Sequence, residues 1–445
     1  MSETTEGPLP KRSTNDTGKH RDASASGATP EIGQDIEVEV GPIAAGGGCV
    51  GRAPDGRVMF VRHSLPGERV LARVTGETRS FLRADAIEVL EASPDRVDPP
   101  CMHAGPGQCG GCDFQHVAPA AQRRLKADLL AEQLQRLAGV DYRVEVEEVP
   151  GDPRGLAWRT RVAFAVDEDG VVGLRRHRSH DVIPVARCPI AIDAVNDSGV
   201  TNARWPGVRQ VEVVASSATE VPVVVVDTGT GRPRDLPEVA TGIMWRGRTL
   251  QAPSHVTFDV LGHRFTVRAG GFWQVHPEAG RVLSEAVLEG LAPQPGERAC
   301  DLYAGAGLFS AALARAVGPT GAVVAVERSG SAVADLEVNV ADFEAELEII
   351  RADIRPDVVA RRIGRPDVVV LDPARAGAGI DVMTALVGLD PPPRAVAYVS
   401  CEPAPFARDL RVALDAGWSL ASLRAFDLFP MTEHVEMVAI LQPPG

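Results

Sequence analysis

The chain has 445 residues, enough for two or three domains that each bury a core, and a formal net charge of −14. That charge excludes a simple polycation but not a local basic groove, because phosphate neutralisation needs only clustered Lys or Arg. No apolar run approaches a membrane span and MSETTEGPLPKRSTND has no signal-peptide pattern, so a soluble, cytoplasmic protein is the expectation. Seven cysteines in a reducing compartment read as metal ligands or catalytic thiols, not as a disulfide framework. Lysine occurs only at 11, 19 and 126; the remaining basic residues are arginine, which suits bidentate phosphate contacts.

Residues 1–32 are rich in Ser, Thr, Gly and mixed charge and are expected to form a disordered tail. From 33 to 93, short alternating stretches (IEVEV, GRVMFVR, RVLARV, DAIEVL) between Gly and Pro turns predict a small antiparallel barrel. The cysteine-rich segment CMHAGPGQCGGC follows. Then comes a helix over about 119–138, with Leu125, Leu129, Leu130, Leu134 and Leu137 on one apolar stripe that core packing explains. Residues 145–255 alternate again and predict a mostly β middle domain, spanning 94–255 with the cysteine loop. After 256, apolar strands (VVAVE, EIIRAD, DVVVLD, AVAYVS) alternate with Ala-rich helices, the pattern of a parallel sheet in an open α/β fold through 445.

In such folds ligands sit outside the carboxyl ends of the strands. The first strand ends in CDLYAGAGLFS, where Asp301 precedes Gly305 and Gly307 at the start of a helix. Glycines there admit a ligand close to the backbone. The next strands end at Glu327, Asp353 and Asp372. One such acid reads as a helix cap, and for Asp353 alone that is the preferred reading. Acids at three successive strand ends read as a cofactor site, with Glu327 placed to accept ribose hydroxyls. The position three after Gly307 is Ser310, so the dinucleotide glycine pattern is incomplete, and Asp301 would repel a pyrophosphate. The stretch resembles motif I of class I methyltransferases, which points to S-adenosylmethionine over NAD.

Cys401 ends the strand AVAYVS and is followed by Glu402-Pro403. A lone cysteine such as Cys300 is ordinarily core, but Cys401 stands at the edge where the cofactor would sit. A thiolate there could add to carbon 6 of uracil and make carbon 5 nucleophilic; a base must then remove the carbon-5 proton. Glu436, inside the apolar strand VEMVAIL, is the candidate base, because a carboxylate is costly there without a role or a partner. Glu433 and His434 compete with it.

The segments GGFWQVHPE, DLYAGAGLFS, LDPARAG, YVSCEPAPFARDL and FPMTEHVEMV together resemble the successive motifs of the RNA uracil-5 methyltransferases, whose bacterial members act on 23S ribosomal RNA and on tRNA. The resemblance covers about 33–442. It implies a Rossmann-like class I methyltransferase domain preceded by an OB-like TRAM barrel and an iron–sulfur middle domain. It also implies Gln274, Tyr303, Glu327 and Asp372 as cofactor-binding residues, with Cys401 as nucleophile and Glu436 as proton acceptor; Gly305 and Asp353 join the cofactor set by their places at the strand ends. Ala374, Glu402 and His276 depart from the motifs, and Glu402 adds negative charge near a thiol that must ionise.

Cys101, Cys109, Cys112 and the remote Cys188 form a four-thiolate set. Spacing alone favours zinc slightly, whereas Cys-Gly-Gly-Cys with a remote Cys-Pro resembles the family's [4Fe-4S] site, and that resemblance tilts the reading to the cluster. RNA is the expected partner, with ribosomal RNA favoured over tRNA, a monomer the expected state, and Arg154, Arg159, Arg161, Arg175, Arg176, Arg178 and Arg187 the densest basic set. Phe114 and Trp158 are stacking candidates for which core packing is the preferred role.

Overall fold

The structure, a computed structural model, describes residues 29–445, so most of the tail expected over 1–32 lies outside the described residues. The first body is a six-stranded sheet of β1 (Asp35–Glu39), β2 (Ile43–Ala44), β3 (Gly48–Arg52), β4 (Val58–Arg62), β5 (Arg69–Glu77) and β6 (Phe81–Glu91), in the order β1-β5-β6-β4-β3-β2. Alternation sets its faces: Ile36, Val38, Met59, Val61, Val70, Ala72, Leu82 and Ala84 point into one core, and their neighbours point out.

The helix α1 (Pro119–Gln133) ends in a π-helical turn over Leu134–Ala138, and β7 (Val146–Glu147) follows. The middle domain is a seven-stranded sheet of β8 (Arg161–Val166), β9 (Val172–Arg175), β10 (Val182–Pro184), β11 (Gln210–Val214), β12 (Val223–Asp227), β13 (Gly242–Trp245) and β14 (Arg248–Gln251), with one short helix α2 (Asp193–Asn196). Its order is β10-β9-β8-β11-β12-β13-β14.

A hairpin, β15 (His255–Val260) and β16 (His263–Arg268), and α3 (Ala279–Leu291) lead into the α/β domain. There, β17 (Arg298–Leu302), α4 (Leu308–Val317), β18 (Ala322–Glu327), α5 (Gly330–Val340), β19 (Glu346–Arg351), α6 (Pro356–Arg362), β20 (Val368–Leu371), α7 (Ile380–Val387), β21 (Ala395–Ser400) and α8 (Pro403–Asp415) alternate. The antiparallel pair β22 (Ser419–Phe426) and β23 (Glu436–Gln442) closes the chain. The sheet order is β19-β18-β17-β20-β21-β23-β22-β7. Every residue of β20 and β21 is buried, as befits parallel strands covered on both faces. Ala299, Val323, Val368 and Ala397 face α3, α4 and α5, while Cys300, Val324, Val369 and Tyr398 face α6, α7 and α8.

One segment sits differently from the sequence reading, which placed all of 94–255 in the middle domain. Leu130, Leu134, Ala138 and Val146 pack in the core of the α/β sheet, and β7 pairs parallel with β22 at its edge. The leucine stripe of α1 shows that one face is buried but carries no information about the partner. No helix among the described residues is long and apolar enough to cross a membrane.

Candidate active site

The strand order reverses between β17 and β20, and a cleft outside their carboxyl ends is where an open α/β sheet takes its ligand. The segment after β17 is built for close approach. Tyr303 adopts φ 66°, a left-handed backbone that a bulky residue rarely holds, and Gly305 follows at φ 54° with open space where a Cβ would point. Gly307, at φ 94°, serves packing instead. A Cβ there would stand 2.5 Å from Leu336 Cδ1, so its glycine lets α4 pack against α5.

Glu327, at the end of β18, accepts the Gly305 N–H at 3.0 Å and the Ser329 N–H at 2.6 Å, which ties the glycine turn to the next strand. Asp301 is fully buried; its Oδ2 accepts from the Ser310 hydroxyl at 2.6 Å, and its Oδ1 has no partner. Burial lifts its carboxyl to about 7. Burial, then the Asp301 charge, also lifts Asp372, just beyond β20, to about 7. Two carboxylates raised by burial, one with an orphaned oxygen, match a ligand with a cationic amino-acid end and fit S-adenosylmethionine. Gln274 is buried in the loop before α3. Asp353 stands apart: it is exposed and pairs with Arg328 at 3.4 Å.

The reacting pair expected from the sequence comes together by register. Ser400 of β21 faces Met437 of β23 in an antiparallel ladder. Cys401 directly follows Ser400 and Glu436 directly precedes Met437, and the Glu436 charge is the largest electrostatic influence on the Cys401 thiol. Burial, then the charges of Glu436, Glu402 and Asp372, push the Cys401 thiol up to about 12. Glu436 is almost completely buried, and burial with the Asp372 charge raises it well above a usual carboxyl. Arg375 is the cation that works against these shifts at Cys401, Glu402 and Glu436 alike.

The residues that depart from the motif have structural places. Glu402 precedes α8, with Arg375 at 3.9 Å and His434 at 3.6 Å. His276 is buried, stacks on Trp158 at 5.9 Å and accepts the Glu278 N–H at 3.1 Å, so it joins the middle domain to the start of α3. Burial pulls its imidazole down to about 4, which keeps it neutral.

Other groups were missed from the sequence. Asp409 of α8 accepts hydrogen bonds from Tyr398 Oη–H (2.6 Å), Ala378 N–H (2.8 Å) and Gly379 N–H (3.1 Å), which fixes the loop that carries Arg375. Lys126 of α1 is fully buried and pairs with Asp427 at 2.6 Å while donating to the Phe429 carbonyl at 2.9 Å, which anchors the segment before Glu436. Neither has a local sequence signal.

Cys101, Cys109, Cys112 and Cys188 all line one cavity of about 190 Å³. Burial raises the thiols of Cys109 and Cys188 and lifts Cys112 to about 12. Among the described residues, no group of three or more His, Cys, Asp or Glu has the geometry of a single bound metal ion. The expected four-thiol set therefore converges on one space without closing to that geometry.

The expected basic set sorts into different roles. Arg161 is largely buried and holds Glu212 and the carbonyls of Ala269 and Gly271, Arg154 pairs with Asp152, and Arg187 pairs with Asp193 and Asp197. Arg159 lies over Trp158, and Arg175, Arg176 and Arg178 are exposed. Phe114 and Trp158 are buried core residues.

Taken together, the fold and the carboxylates at its strand ends define a class I methyltransferase. Residues 30–87 match the TRAM domain family. The chain is 46% identical to an uncharacterized RNA methyltransferase of Streptomyces avermitilis, over 93% of this chain and 99% of that protein. It is 32% identical to the 23S rRNA (uracil(1939)-C(5))-methyltransferase RlmD of Alkalilimnicola ehrlichii, covering 87% and 92% of the two. The crystal structure of the Pyrococcus abyssi tRNA (uracil-54, C5)-methyltransferase with S-adenosyl-L-homocysteine shares the fold, with a TM-score of 0.68 at 23% identity over 91% of this chain and 99% of that one. The chain belongs to the RNA uracil-C5 methyltransferase family.

Proposed function

We infer that the protein transfers a methyl group from S-adenosylmethionine to carbon 5 of a uridine in RNA, with 23S ribosomal RNA as the favoured substrate. One observation carries this reading: Cys401, just past the end of β21, lies within reach of the Glu436 charge at the start of β23, at the carboxyl edge that also presents Asp301, Glu327 and Asp372. The likeness to the ribosomal-RNA enzyme of Alkalilimnicola ehrlichii supports the substrate. Gln274, Tyr303, Gly305, Glu327 and Asp372 hold the methyl donor, and Asp353 lies at the outer margin of that site. When bound, the donor supplies the methyl group and a sulfonium cation.

Burial and its acidic neighbours push the Cys401 thiol up, so the thiol must first release its proton to solvent water. Its thiolate adds to carbon 6 of the flipped uracil, so that carbon 5 gains enolate character and accepts the methyl group. Glu436 takes the carbon-5 proton in its carboxylate form, for which burial raises the affinity for a proton, and the carbon–sulfur bond then breaks as the thiolate leaves. The enzyme works as a cytoplasmic monomer in this reading.

Labelled S-adenosylmethionine with unmodified ribosomal RNA and tRNA tests it, with the product nucleoside identified by mass spectrometry. Wild-type protein should yield 5-methyluridine in the ribosomal RNA, and Cys401→Ala none. Label in 5-methylcytidine would overturn the role given to Cys401, and label confined to tRNA would overturn the substrate.

We also propose that Cys101, Cys109, Cys112 and Cys188 hold a [4Fe-4S] cluster. Their shared place on one cavity and the Cys-Gly-Gly-Cys resemblance support this reading. Its place is structural, since the chemistry at Cys401 needs no oxidation or reduction. Anaerobically purified protein should show cluster absorbance and about four irons per chain by metal analysis. Cys112→Ser should lose both; one zinc per chain in the wild type would refute the cluster.

A further inference from the structure

A cavity of about 230 Å³ lies between the outer face of the N-terminal barrel and the β9–β10 turn of the middle domain. The period of two places Phe60 and Arg62 of β4 and Phe81, Arg83 and Asp85 of β6 along its wall, on the face turned away from the barrel core. Arg178 closes the other side, its backbone held at φ 53°. Phe60 and Phe81 meet edge to face at 5.5 Å, and Arg83 lies 4.8 Å over the Phe81 ring. In a chain of net charge −14, this cavity carries three arginines against one carboxylate. Crowding is felt there: burial and the Arg83 and Arg62 charges pull the Arg178 guanidinium below its ordinary value.

Asp85 is the unexplained group. It is 9% exposed, its carboxyl is raised by burial, and only the charges of Arg62 and Arg178 offset this; no donor among the described residues hydrogen-bonds to it. A largely buried carboxylate with no donor of its own, open to a cavity beside aromatic rings and cations, suits a planar ligand that brings N–H groups and negative charge. An unpaired nucleotide has all three parts.

We propose that this cavity is a second nucleobase site, which takes an unpaired guanine of the RNA substrate at a fixed offset from the target uridine. The choice of guanine follows from the carboxylate. Guanine presents two parallel donors, N1–H and N2–H, to the two oxygens of Asp85. Adenine and cytosine each set a ring acceptor beside their amino donor, and uracil flanks its single N–H with two carbonyls. The ring stacks on the Phe60–Phe81 pair, and the flanking phosphates meet Arg83 and Arg178. The wall also reaches the reaction site: Gly46, which lines the cavity, donates its N–H to Glu433, three residues before Glu436. A strand held here is thereby registered against the catalytic segment. The proposal rests on the RNA-methylation reading and extends it to substrate selection.

The test is fluorescence anisotropy on the full chain at one fixed salt concentration, with labelled pyrimidine ribo-oligonucleotides carrying guanosine, inosine, adenosine or uridine at one central position. The guanosine oligomer should bind about 10-fold tighter than the adenosine or uridine ones, with inosine, which lacks the 2-amino group, between them. Asp85→Asn should erase that preference, and Phe81→Ala should weaken every oligomer about 10-fold. Asp85→Ser serves if the asparagine variant misfolds, and circular dichroism checks each. Equal binding of all four oligomers by the wild type, or an unchanged preference in Asp85→Asn, would overturn the site. Methyl transfer to ribosomal RNA, measured separately, would stand in that case, so the two readings fail independently.

Discussion

Replacing Glu436 with glutamine is expected to stop turnover after methyl transfer, leaving protein joined to RNA through Cys401. Glutamine keeps the shape and burial of the side chain but cannot accept the carbon-5 proton, so the carbon–sulfur bond has no route to break. Turnover should fall by about 10²–10⁴. A band resistant to sodium dodecyl sulfate should appear with RNA and methyl donor, and be absent in the Cys401→Ala, Glu436→Gln double variant. Wild-type turnover in Glu436→Gln would remove Glu436 from the chemistry. The same variant carries a stability signature. The folded carboxyl sits well above its ordinary 4.5, so the folded state holds the proton more tightly than the unfolded state. The stability this gives is complete below the ordinary value and is lost as pH rises towards the folded one. Glu436→Gln has no such dependence at this position. Its melting temperature should therefore exceed that of the wild type at about pH 8, and the gap should close at about pH 4. A gap that widens at low pH would contradict the burial argument.

The sequence made the α/β sheet legible because strands buried on both faces must be continuous apolar runs, and VVVL and AVAYVS have no other comfortable home. Strand ends were legible for a related reason: an acid that terminates such a run is either capping or binding. What the sequence could not decide is which acids share a cleft. Asp301 and Asp372 are brought together by the crossover between β17 and β20, whereas Asp353 ends a strand at the sheet margin and turns to Arg328. Glu436 was recognisable as a charge out of place, but its nearness to Cys401, 35 positions earlier, depends on the pairing of β21 with β23. The arginines of the middle domain illustrate the limit most plainly. Arg161 and Arg178 look alike in the sequence, yet one is locked to Glu212 and backbone carbonyls, and the other lines an open cavity.

Lys126 is the strongest instance of information held only in three dimensions, and Lys126→Met is expected to be the most destabilising single change discussed. The ammonium is fully buried on α1, and its partner Asp427 lies 301 positions later in the segment between β22 and β23. That segment also contains Met431, whose carbonyl accepts the Asp113 and Phe114 N–H groups at 3.0 Å, so α1, the cysteine loop and the catalytic segment meet there. Burial lowers the lysine from its usual value, and the Asp427 charge holds it up. Removing the lysine leaves a carboxylate buried without its cation, which costs about 3–5 kcal/mol, whereas replacing both partners with apolar residues is often neutral. Denaturant unfolding should thus show Lys126→Met much less stable than wild type, with Lys126→Met, Asp427→Leu recovering most of the loss. Recovery of stability without recovery of methyl transfer would show that the pair also aims the segment carrying Glu436. Equal losses in the single and double variants would mean that packing around α1, not charge, holds this junction.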